Sequence, residues 1–222
     1  EKLPGIGIML GCCGGPAYLT GDNETFKPIY EDLGSEVKRL GAKEIIVACP
    51  FCYGLLKQKG PELNPVSLYR VLDEVGVPAS REEATYNIHD PCTTRYEPKI
   101  QASARSIVKK AGHEIVEIRH SKEETHCCGM GGMVYVVDEE LGKLRSKRTL
   151  DEANRDIITY CTTCRETLQG QGGQVIHLLD LIFNPEWKSA SKVPPNAPEV
   201  STENMKSLKK TLTQSKRMTS EK

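Results

Sequence analysis

The 222-residue sequence has no excess of charge of either sign, because 30 Lys and Arg side chains balance 30 Asp and Glu side chains. A chain without net charge has no overall field to attract nucleic acid or an anionic membrane surface. The sequence also lacks any apolar run near the roughly 20 residues that a membrane-spanning helix requires. We therefore expect neither a nucleic-acid partner nor a transmembrane segment.

Two sequence signals with known physical meaning are also missing. No Gly-x-Gly-x-x-Gly fingerprint is present, so the chain is not expected to take hydride from a nicotinamide cofactor itself. The apolar stretch at residues 6–10 is too short for a secretory signal and leads directly into two cysteines. An odd number of cysteines, nine, without such a signal favours reduced thiols and a cytoplasmic location.

Cysteine is the residue that the chain uses in a pattern, and eight of the nine cysteines belong to a repeat. Cys12-Cys13-Gly14 precedes Cys49-x-x-Cys52, and Cys127-Cys128-Gly129 precedes Cys161-x-x-Cys164. The two intervals are similar, with 35 and 32 residues between the motifs. Self-similarity at several points in register indicates an internal duplication. Clustered thiols are typical of soft metal centres and of thiol–disulfide chemistry.

Apolar periodicity predicts alternating strands and helices around these cysteines. We expect strands at residues 6–10 (buried), 44–48, 86–89, 113–118 and 156–160, and helices at residues 26–40, 100–111 and 139–155. This alternation predicts an α/β fold with two duplicated, Rossmann-like or flavodoxin-like parallel-sheet repeats. The cysteines would follow the carboxyl ends of the strands.

Such a fold would bring distant cysteines together. Parallel strands joined by right-handed crossovers end at one edge of the sheet, which is where open α/β sheets bind ligands. Helices that begin after these loops would direct backbone N–H groups at the thiolates, and glycines would let the backbone approach closely. The glycines concerned are Gly14, Gly129, Gly131 and Gly132. We therefore predict a second site of five cysteines, Cys92, Cys127, Cys128, Cys161 and Cys164, with Gly129 beside the cofactor.

The second-site pattern resembles the cysteine-rich CCG domain of the B-type subunit of heterodisulfide reductases and of the iron–sulfur subunits of glycolate and lactate oxidases. Strings such as His89-Asp90-Pro91-Cys92 also resemble compact stand-alone CCG proteins. The resemblance implies a non-cubane [4Fe-4S] cluster held by the five second-site cysteines, with Cys92, Cys127 and Cys128 as ligands of the reactive cluster. It further implies reduction of a disulfide, one electron at a time, at that cluster.

The first site has only four cysteines, namely Cys12, Cys13, Cys49 and Cys52. Four thiolates suit a cubane [4Fe-4S] cluster or a tetrahedral Zn²⁺ ion. In the family that the sequence resembles, a leading cysteine would precede Cys12, and we expect that its strand, cysteine and helix have been removed from this chain. We place the incomplete first repeat at residues 1–80, the complete second repeat at 81–187 and a flexible basic tail at 188–222.

Several side chains outside the cysteine pattern allow two interpretations. His126 could tune the cluster or supply a proton, or it could be an exposed loop histidine. Arg95 could bind an anionic substrate group or form a solvated salt bridge. For His89 we expect a structural hydrogen bond. In the tail, Met205, Leu208 and Leu212 could form a short amphipathic helix, or the tail could be disordered.

These features lead to three hypotheses for the function. The first is an iron–sulfur oxidoreductase subunit that reduces a small-molecule or protein disulfide with electrons from a flavin- or ferredoxin-type partner. The second is an electron-relay subunit of a hydroxy-acid dehydrogenase complex. The third is a zinc-stabilised module without catalysis. A cluster that is open to substrate beside Cys127 and Cys128 would favour the first hypothesis, and an enclosed cluster would favour the second.

Overall fold

The computed structural model describes residues 5–80, 82–184, 202–208 and 210. The chain divides into two compact units, Gly11–Pro185 and a unit formed by Glu1–Leu10 with Glu186–Lys222. No helix of the described residues is long and apolar enough to cross a membrane.

The unit Gly11–Pro185 has mixed α/β structure with parallel sheets. Its strands are β1 Ile45–Val47, β2 Pro65–Ser67, β3 Thr85–His89, β4 Glu114–Glu117, β5 Ile157–Thr159 and β6 Val175–His177. Its helices are α1 Gly15–Thr20, α2 Asn23–Arg39, α3 Pro50–Lys59, α4 Leu68–Val75, α5 Pro98–Lys110, α6 Val134–Val137, α7 Glu139–Asp151, α8 Thr162–Gly170 and α9 Leu178–Phe183.

The two sheets differ in size. β1 and β2 form a two-stranded parallel sheet, whereas the larger sheet has four parallel strands in the order β4-β3-β5-β6. All of the larger sheet's pairings are parallel, with Ile88 of β3 opposite Ile158 of β5. Both isoleucines are fully buried, as expected for central strands covered on both faces.

The order of the larger sheet places its helices on opposite faces. The chain runs from β3 through α5 to β4 on one side, and then returns across β3 to β5 and continues to β6. Because parallel crossovers are right-handed, α5 covers one face while α7 and α8 cover the other. The direction of winding therefore reverses between β3 and β5, which leaves a crevice at the carboxyl ends of these two strands.

Helix boundaries follow the expected capping chemistry. Asp22 accepts a hydrogen bond from the Thr25 amide at the start of α2, and Asp138 accepts one from the Leu141 amide at the start of α7. After α2, Gly41 adopts the left-handed conformation, with φ of 63°, as predicted from its place behind the apolar periodicity. Helix α7 ends at Asp151, earlier than the predicted residue 155.

The strand predicted at residues 6–10 is wrong. Residues 6–10 have no regular secondary structure, and the side chains of Ile6, Ile8 and Leu10 are exposed. An apolar segment is buried as a strand only where a neighbouring strand and a covering layer exist, and no described strand pairs with this one.

In the same unit, residues 202–208 form a helix in which Met205 and Leu208 are exposed. Leu212 and most of the segment 188–222 lie outside the described residues.

Candidate metal centre

The five cysteines of the second site lie on three loops around the crevice between β3 and β5. Cys92 begins a short 3-10 turn after β3, and Cys127 and Cys128 lie in the loop between β4 and α6. Cys161 is the N-cap residue of α8, and Cys164 lies in the first turn of that helix. Cys128, Cys161 and Cys164 are buried, whereas Cys92 and Cys127 are partly exposed. The site therefore has a buried side and a side that reaches solvent.

The sulfurs of the second site form one continuous series of contacts. Cys127 lies close enough to Cys128 and Cys92 for both thiols to lower its pKa. Cys164 in turn lies close enough to Cys128 and Cys161 for both to raise its pKa. The fold thus brings together all five cysteines, although they are spread over the sequence from residue 92 to residue 164.

Cys127 carries the strongest signs of a thiolate. Hydrogen bonds from the Cys128 and Cys92 thiols lower the pKa of Cys127 to about 2, against the opposing effect of burial. Backbone amides contribute as well, since the N–H of Gly131 lies 3.0 Å and the N–H of Gly129 3.3 Å from Cys127 Sγ. The contacts with Cys127 correspondingly raise the pKa values of Cys92 and Cys128.

Cys161 and Cys164 form a second donor–acceptor pair at the start of α8. A hydrogen bond from the Cys164 thiol lowers the pKa of Cys161, and the Cys164 and Thr163 amides lower it further. The N-terminal amides of α8 therefore stabilise a negative sulfur, as expected at a helix N-terminus.

Two glycines make room for this arrangement. A Cβ atom at Gly131 would stand 2.6 Å from Cys127 Sγ and 3.0 Å from Cys92 Sγ. Gly129 has φ of 111°, and a Cβ atom there would stand 2.5 Å from the Gly142 carbonyl oxygen of α7. Gly131 therefore borders the sulfurs themselves, whereas Gly129 allows α7 to approach the cysteine loop.

The first site is less complete and more exposed. Cys13 Sγ lies 2.9 Å from Cys52 Sγ, and Cys52 also contacts Cys49. Hydrogen bonds from the Cys52 thiol, and then from the Cys52 and Phe51 amides, lower the pKa of Cys49 to about 6 in spite of desolvation. Cys12 is exposed, and its sulfur accepts a hydrogen bond of 3.4 Å from the Gly14 amide. Three of the four thiols are thus joined by sulfur contacts.

A buried tyrosine lies near both sites. Tyr69 of α4 is 1% exposed, and its hydroxyl donates a hydrogen bond of 2.7 Å to the Tyr160 carbonyl oxygen. Burial raises the pKa of Tyr69, and the negative charges of Cys161 and Cys49 raise it further. The two groups of thiols are therefore close enough to act on one side chain.

Sequence reasoning missed the buried polar network that holds the loop of Cys92. Asp90 is fully buried and forms an ion pair of 2.8 Å with Arg105 of α5. Asp90 also accepts hydrogen bonds from the Tyr160 hydroxyl at 2.7 Å and from the Lys122 amide at 2.7 Å. The signal available in the sequence was Asp90, an acidic residue between a predicted strand and Pro91-Cys92. A carboxylate that is buried at such a position requires hydrogen-bonding or charged partners.

The contacts of His126 and Arg95 correct one of the two interpretations of each residue. His126 is not an exposed loop residue, because its ring stacks on His120 at 3.8 Å and its Nδ1 lies 3.4 Å from Glu152. His126 Nδ1 has no hydrogen-bond partner among the described residues, whereas His126 Nε2 lies 3.3 Å from a guanidinium nitrogen of Arg148. Arg95 forms no ion pair among the described residues, and instead donates a hydrogen bond of 2.6 Å to the Thr125 carbonyl oxygen, linking the two cysteine loops.

The expected structural hydrogen bond of His89 is also absent. The side chain is fully buried, and neither ring nitrogen has a hydrogen-bond partner among the described residues. Burial lowers the pKa of His89 to about 4, so the imidazole is neutral at physiological pH.

The donor set fits a soft metal centre. Thiolates are the ligands of iron–sulfur clusters and of structural zinc, and the second site groups five of them with amide donors aimed at sulfur. The space that a Cβ atom would fill at Gly131 lies directly against two of these sulfurs.

Comparison with curated proteins identifies relatives that are longer than this chain. The chain is 26% identical over 181 residues to an EtfAB:quinone oxidoreductase of Syntrophomonas wolfei, covering 72% of this chain and 25% of that protein. It is 27% identical over 188 residues to a subunit of the dihydromethanophenazine:CoB–CoM heterodisulfide reductase of Methanosarcina barkeri, covering 75% and 46%. A third relative, from Bacillus subtilis, is named "Probable iron-sulfur-binding oxidoreductase FadF" (27% over 160 residues, covering 64% and 23%). The chain thus spans about a quarter to a half of the length of these relatives.

The family model for the cysteine-rich domain called CCG matches residues 8–57 and 86–169. The first segment contains all four cysteines of the first site, and the second contains all five of the second site. Because the match covers more than half of the sequence and every cysteine, this chain belongs to the cysteine-rich CCG domain family.

Proposed function

We propose that this protein is an iron–sulfur oxidoreductase subunit that binds [4Fe-4S] clusters through its cysteines and reduces a disulfide. The observation that carries the proposal is the continuous series of contacts among the five sulfurs of the second site, at the crevice between β3 and β5. The names of the relatives support the redox assignment, because they include a heterodisulfide reductase subunit and an iron-sulfur-binding oxidoreductase.

Cys92, Cys127, Cys128, Cys161 and Cys164 are the proposed ligands of a non-cubane cluster at the second site. When bound, such a cluster supplies electrons one at a time, and a disulfide takes up two electrons and two protons to give two thiols. The chain itself supplies the thiolates, the Gly129 and Gly131 amides that compensate their charge, and an opening beside Cys92 and Cys127. This opening favours access of a substrate disulfide over a fully enclosed electron relay.

The electrons would come from a flavin- or ferredoxin-type partner. The first site, with Cys12, Cys13, Cys49 and Cys52, would hold a cubane [4Fe-4S] cluster or Zn²⁺. The charges of Cys161 and Cys49 both act on the buried Tyr69, which supports proximity of the two sites. Relay of electrons from the first site toward the second is our second candidate function.

We further propose that residues 1–80 and 81–187 are duplicated repeats. In each part a cysteine-cysteine-glycine turn leads to a short helix and then to a longer helix with an aspartate N-cap, Asp22 or Asp138. A three-residue strand follows, then a helix whose N-cap is Cys49 or Cys161, then a parallel strand and a final helix. This common order supports duplication, and the described residues of the first repeat contain no counterpart of β3, α5 and β4.

Metal analysis tests the proposed function directly. Iron, zinc and acid-labile sulfide would be measured in anaerobically purified protein, together with an electron paramagnetic resonance spectrum. We expect about four or eight iron atoms per chain with equal sulfide. Stoichiometric zinc without sulfide, persisting after attempted cluster reconstitution, would reject the proposal in favour of a structural module.

A pair of variants assigns the signals to the two sites. Cys92→Ser should convert the second-site cluster to a conventional form or remove it, and leave first-site signals unchanged. Cys12→Ser is the matched control, because it removes an exposed thiol of the first site and should leave second-site signals unchanged. Spectra and activity that are unaltered in Cys92→Ser would eliminate the five-ligand assignment.

A further inference from the structure

The floor of the crevice between β3 and β5 carries polar groups that the protein itself does not satisfy. His89 is the last residue of β3 and Thr159 the last of β5, and both side chains are fully buried. Neither ring nitrogen of His89 has a hydrogen-bond partner among the described residues, and the same is true of the Thr159 hydroxyl. A buried donor left without a partner destabilises the folded state, because it has lost its hydrogen bond to water and gained none in return. Two such residues side by side therefore indicate a partner that is not part of the polypeptide.

His89 and Thr159 point in the same direction. They are paired Cα partners in the parallel register of β3 and β5. Neighbours in register lie on the same face of a sheet, with strands about 4.8 Å apart. The Thr93 hydroxyl, which follows Cys92 directly, is a third buried group without a partner among the described residues. These three groups belong to the strand ends and the loop that frame the second site, whereas other buried polar atoms without a partner among the described residues, such as Tyr30 Oη, lie elsewhere.

The face that carries His89 and Thr159 is the face of the thiols. Ile157, two residues before Thr159 and on the same side of β5, packs in one cluster with Cys128, Cys161 and Cys164. The charge of Cys127 acts on His89. A neutral imidazole has one N–H donor and one acceptor. Its N–H donor therefore lies in a dry environment, on the face of the sheet that carries the thiols.

We propose that His89, assisted by the neighbouring Thr159 hydroxyl, donates a hydrogen bond to sulfur of the metal centre at the second site. The inference rests on the iron–sulfur centre proposed above and assigns His89 as a positioning residue that stabilises the reduced, more negative state. Hydrogen bonds to the sulfurs are one of the determinants of the reduction potential of such clusters. The buried donor makes the second centre easier to reduce than the same ligand set would be without it.

Potentiometry of full-length protein tests the effect. His89→Leu removes the donor, and we expect the midpoint potential of the second-site signal to shift to a more negative value. His89→Gln keeps an N–H donor and should restore much of the potential. His113→Gln is the matched control, because His113 is also buried but precedes β4, at the amino-terminal edge of the sheet. It should leave the potential unchanged.

Labelling with [15N]histidine tests the contact itself. Electron–nuclear spectroscopy of the reduced centre should detect a weak 15N coupling that persists in His126→Gln and disappears in His89→Gln. The chain has five histidines. If His89→Gln does not fold, each of the other four histidines can be replaced singly instead. A 15N coupling that persists in all four of these variants is assigned to His89.

Three other results have distinct meanings. A wild-type centre with no histidine 15N coupling would overturn the inference, since the orphaned groups would then be satisfied by water. An unchanged potential in His89→Leu with full iron and sulfide would also overturn it. Absence of iron and sulfide from wild-type protein would reject the proposed function instead.

Discussion

Replacing Gly131 with alanine is the most demanding test of the second site, because it adds one methyl group and removes no ligand. The new carbon would stand 2.6 Å from Cys127 Sγ and 3.0 Å from Cys92 Sγ. Non-bonded heavy atoms rest at about 3.5–4.0 Å, so at least one sulfur must retreat by about 1 Å. Metal–ligand distances hold within about 0.2 Å. We therefore expect Gly131→Ala to lose the second-site centre, about four iron atoms per chain.

Iron and sulfide analysis with electron paramagnetic resonance measures this loss. Gly170→Ala is the matched control, because a Cβ atom there meets nothing within 4 Å and the position ends helix α8. We expect the control to keep its iron and to gain about 0.5 kcal/mol of stability. Gly131→Ala protein with the iron, sulfide and spectrum of wild type would refute the packing of Cys92 and Cys127 against this glycine.

Three further predictions concern the buried groups around the site. Asp90→Asn should lower the free energy of unfolding by about 3–5 kcal/mol at neutral pH, since it leaves Arg105 without its buried partner. Denaturant unfolding measures this difference from wild type. The difference should shrink below about pH 4, because the pKa of Asp90 is lowered in the folded state and the stability that its carboxylate contributes is lost on acidification. Tyr160→Phe should cost about 1–3 kcal/mol in the same assay, because it removes the hydroxyl that bonds Asp90 and Thr94. Burial lowers the pKa of His177 to about 4, so the unfolded state takes up a proton at a higher pH than the folded state, and stability should fall between about pH 6.5 and pH 4. His177→Asn should remove the part of this fall that His177 contributes and leave the part due to His89, whose pKa is lowered in the same way. The asparagine should still cap α9, where His177 Nδ1 accepts a hydrogen bond from the Leu179 amide.

The sequence was sufficient to predict the elements that carry the second site. The strand at residues 86–89 and the helix at 100–111 correspond closely to β3 and α5. Their prediction succeeded because turn and cap signals follow both elements, Asp90-Pro91 after the strand and Gly112 after the helix, and the helix has a clear apolar periodicity. The segment at residues 6–10 is more apolar than β3, yet it is exposed and forms no strand. Composition alone cannot supply the neighbouring strand that a buried strand requires.

The supporting side chains could not be predicted from the sequence for a similar reason. Asp90 finds Arg105 and Tyr160 only because α5 and β5 lie next to β3 in the folded sheet. Arg95 reaches the Thr125 carbonyl oxygen only because two loops converge. The cysteine spacing, in contrast, records the ligand pattern directly in the chain. The thiols could therefore be identified from the sequence, whereas the groups that position them depend on tertiary proximity.

The first site allows a test that does not depend on cluster spectroscopy. Cys49 is exposed, and its pKa is lowered to about 6 by the Cys52 thiol and by backbone amides at the start of α3. In metal-free, reduced protein the rate of alkylation at Cys49 should therefore reach half of its maximum near pH 6. In denaturant, where these donors are lost, the midpoint should move to about pH 8.5.

Protection from alkylation then decides whether the first site holds a metal. Cys49 should react much more slowly after anaerobic reconstitution if its thiolate binds iron or zinc, because the metal withdraws electron density from the sulfur and makes it a weaker nucleophile. Tyr53 lies one turn further along α3 and carries no thiol, so Tyr53→Phe is a control that should leave labelling unchanged. A folded-state midpoint near pH 8.5 would show that Cys52 and the helix amides do not stabilise the thiolate. Equal labelling before and after reconstitution would show that Cys49 is not a ligand, and the redox chemistry would then be confined to the second site.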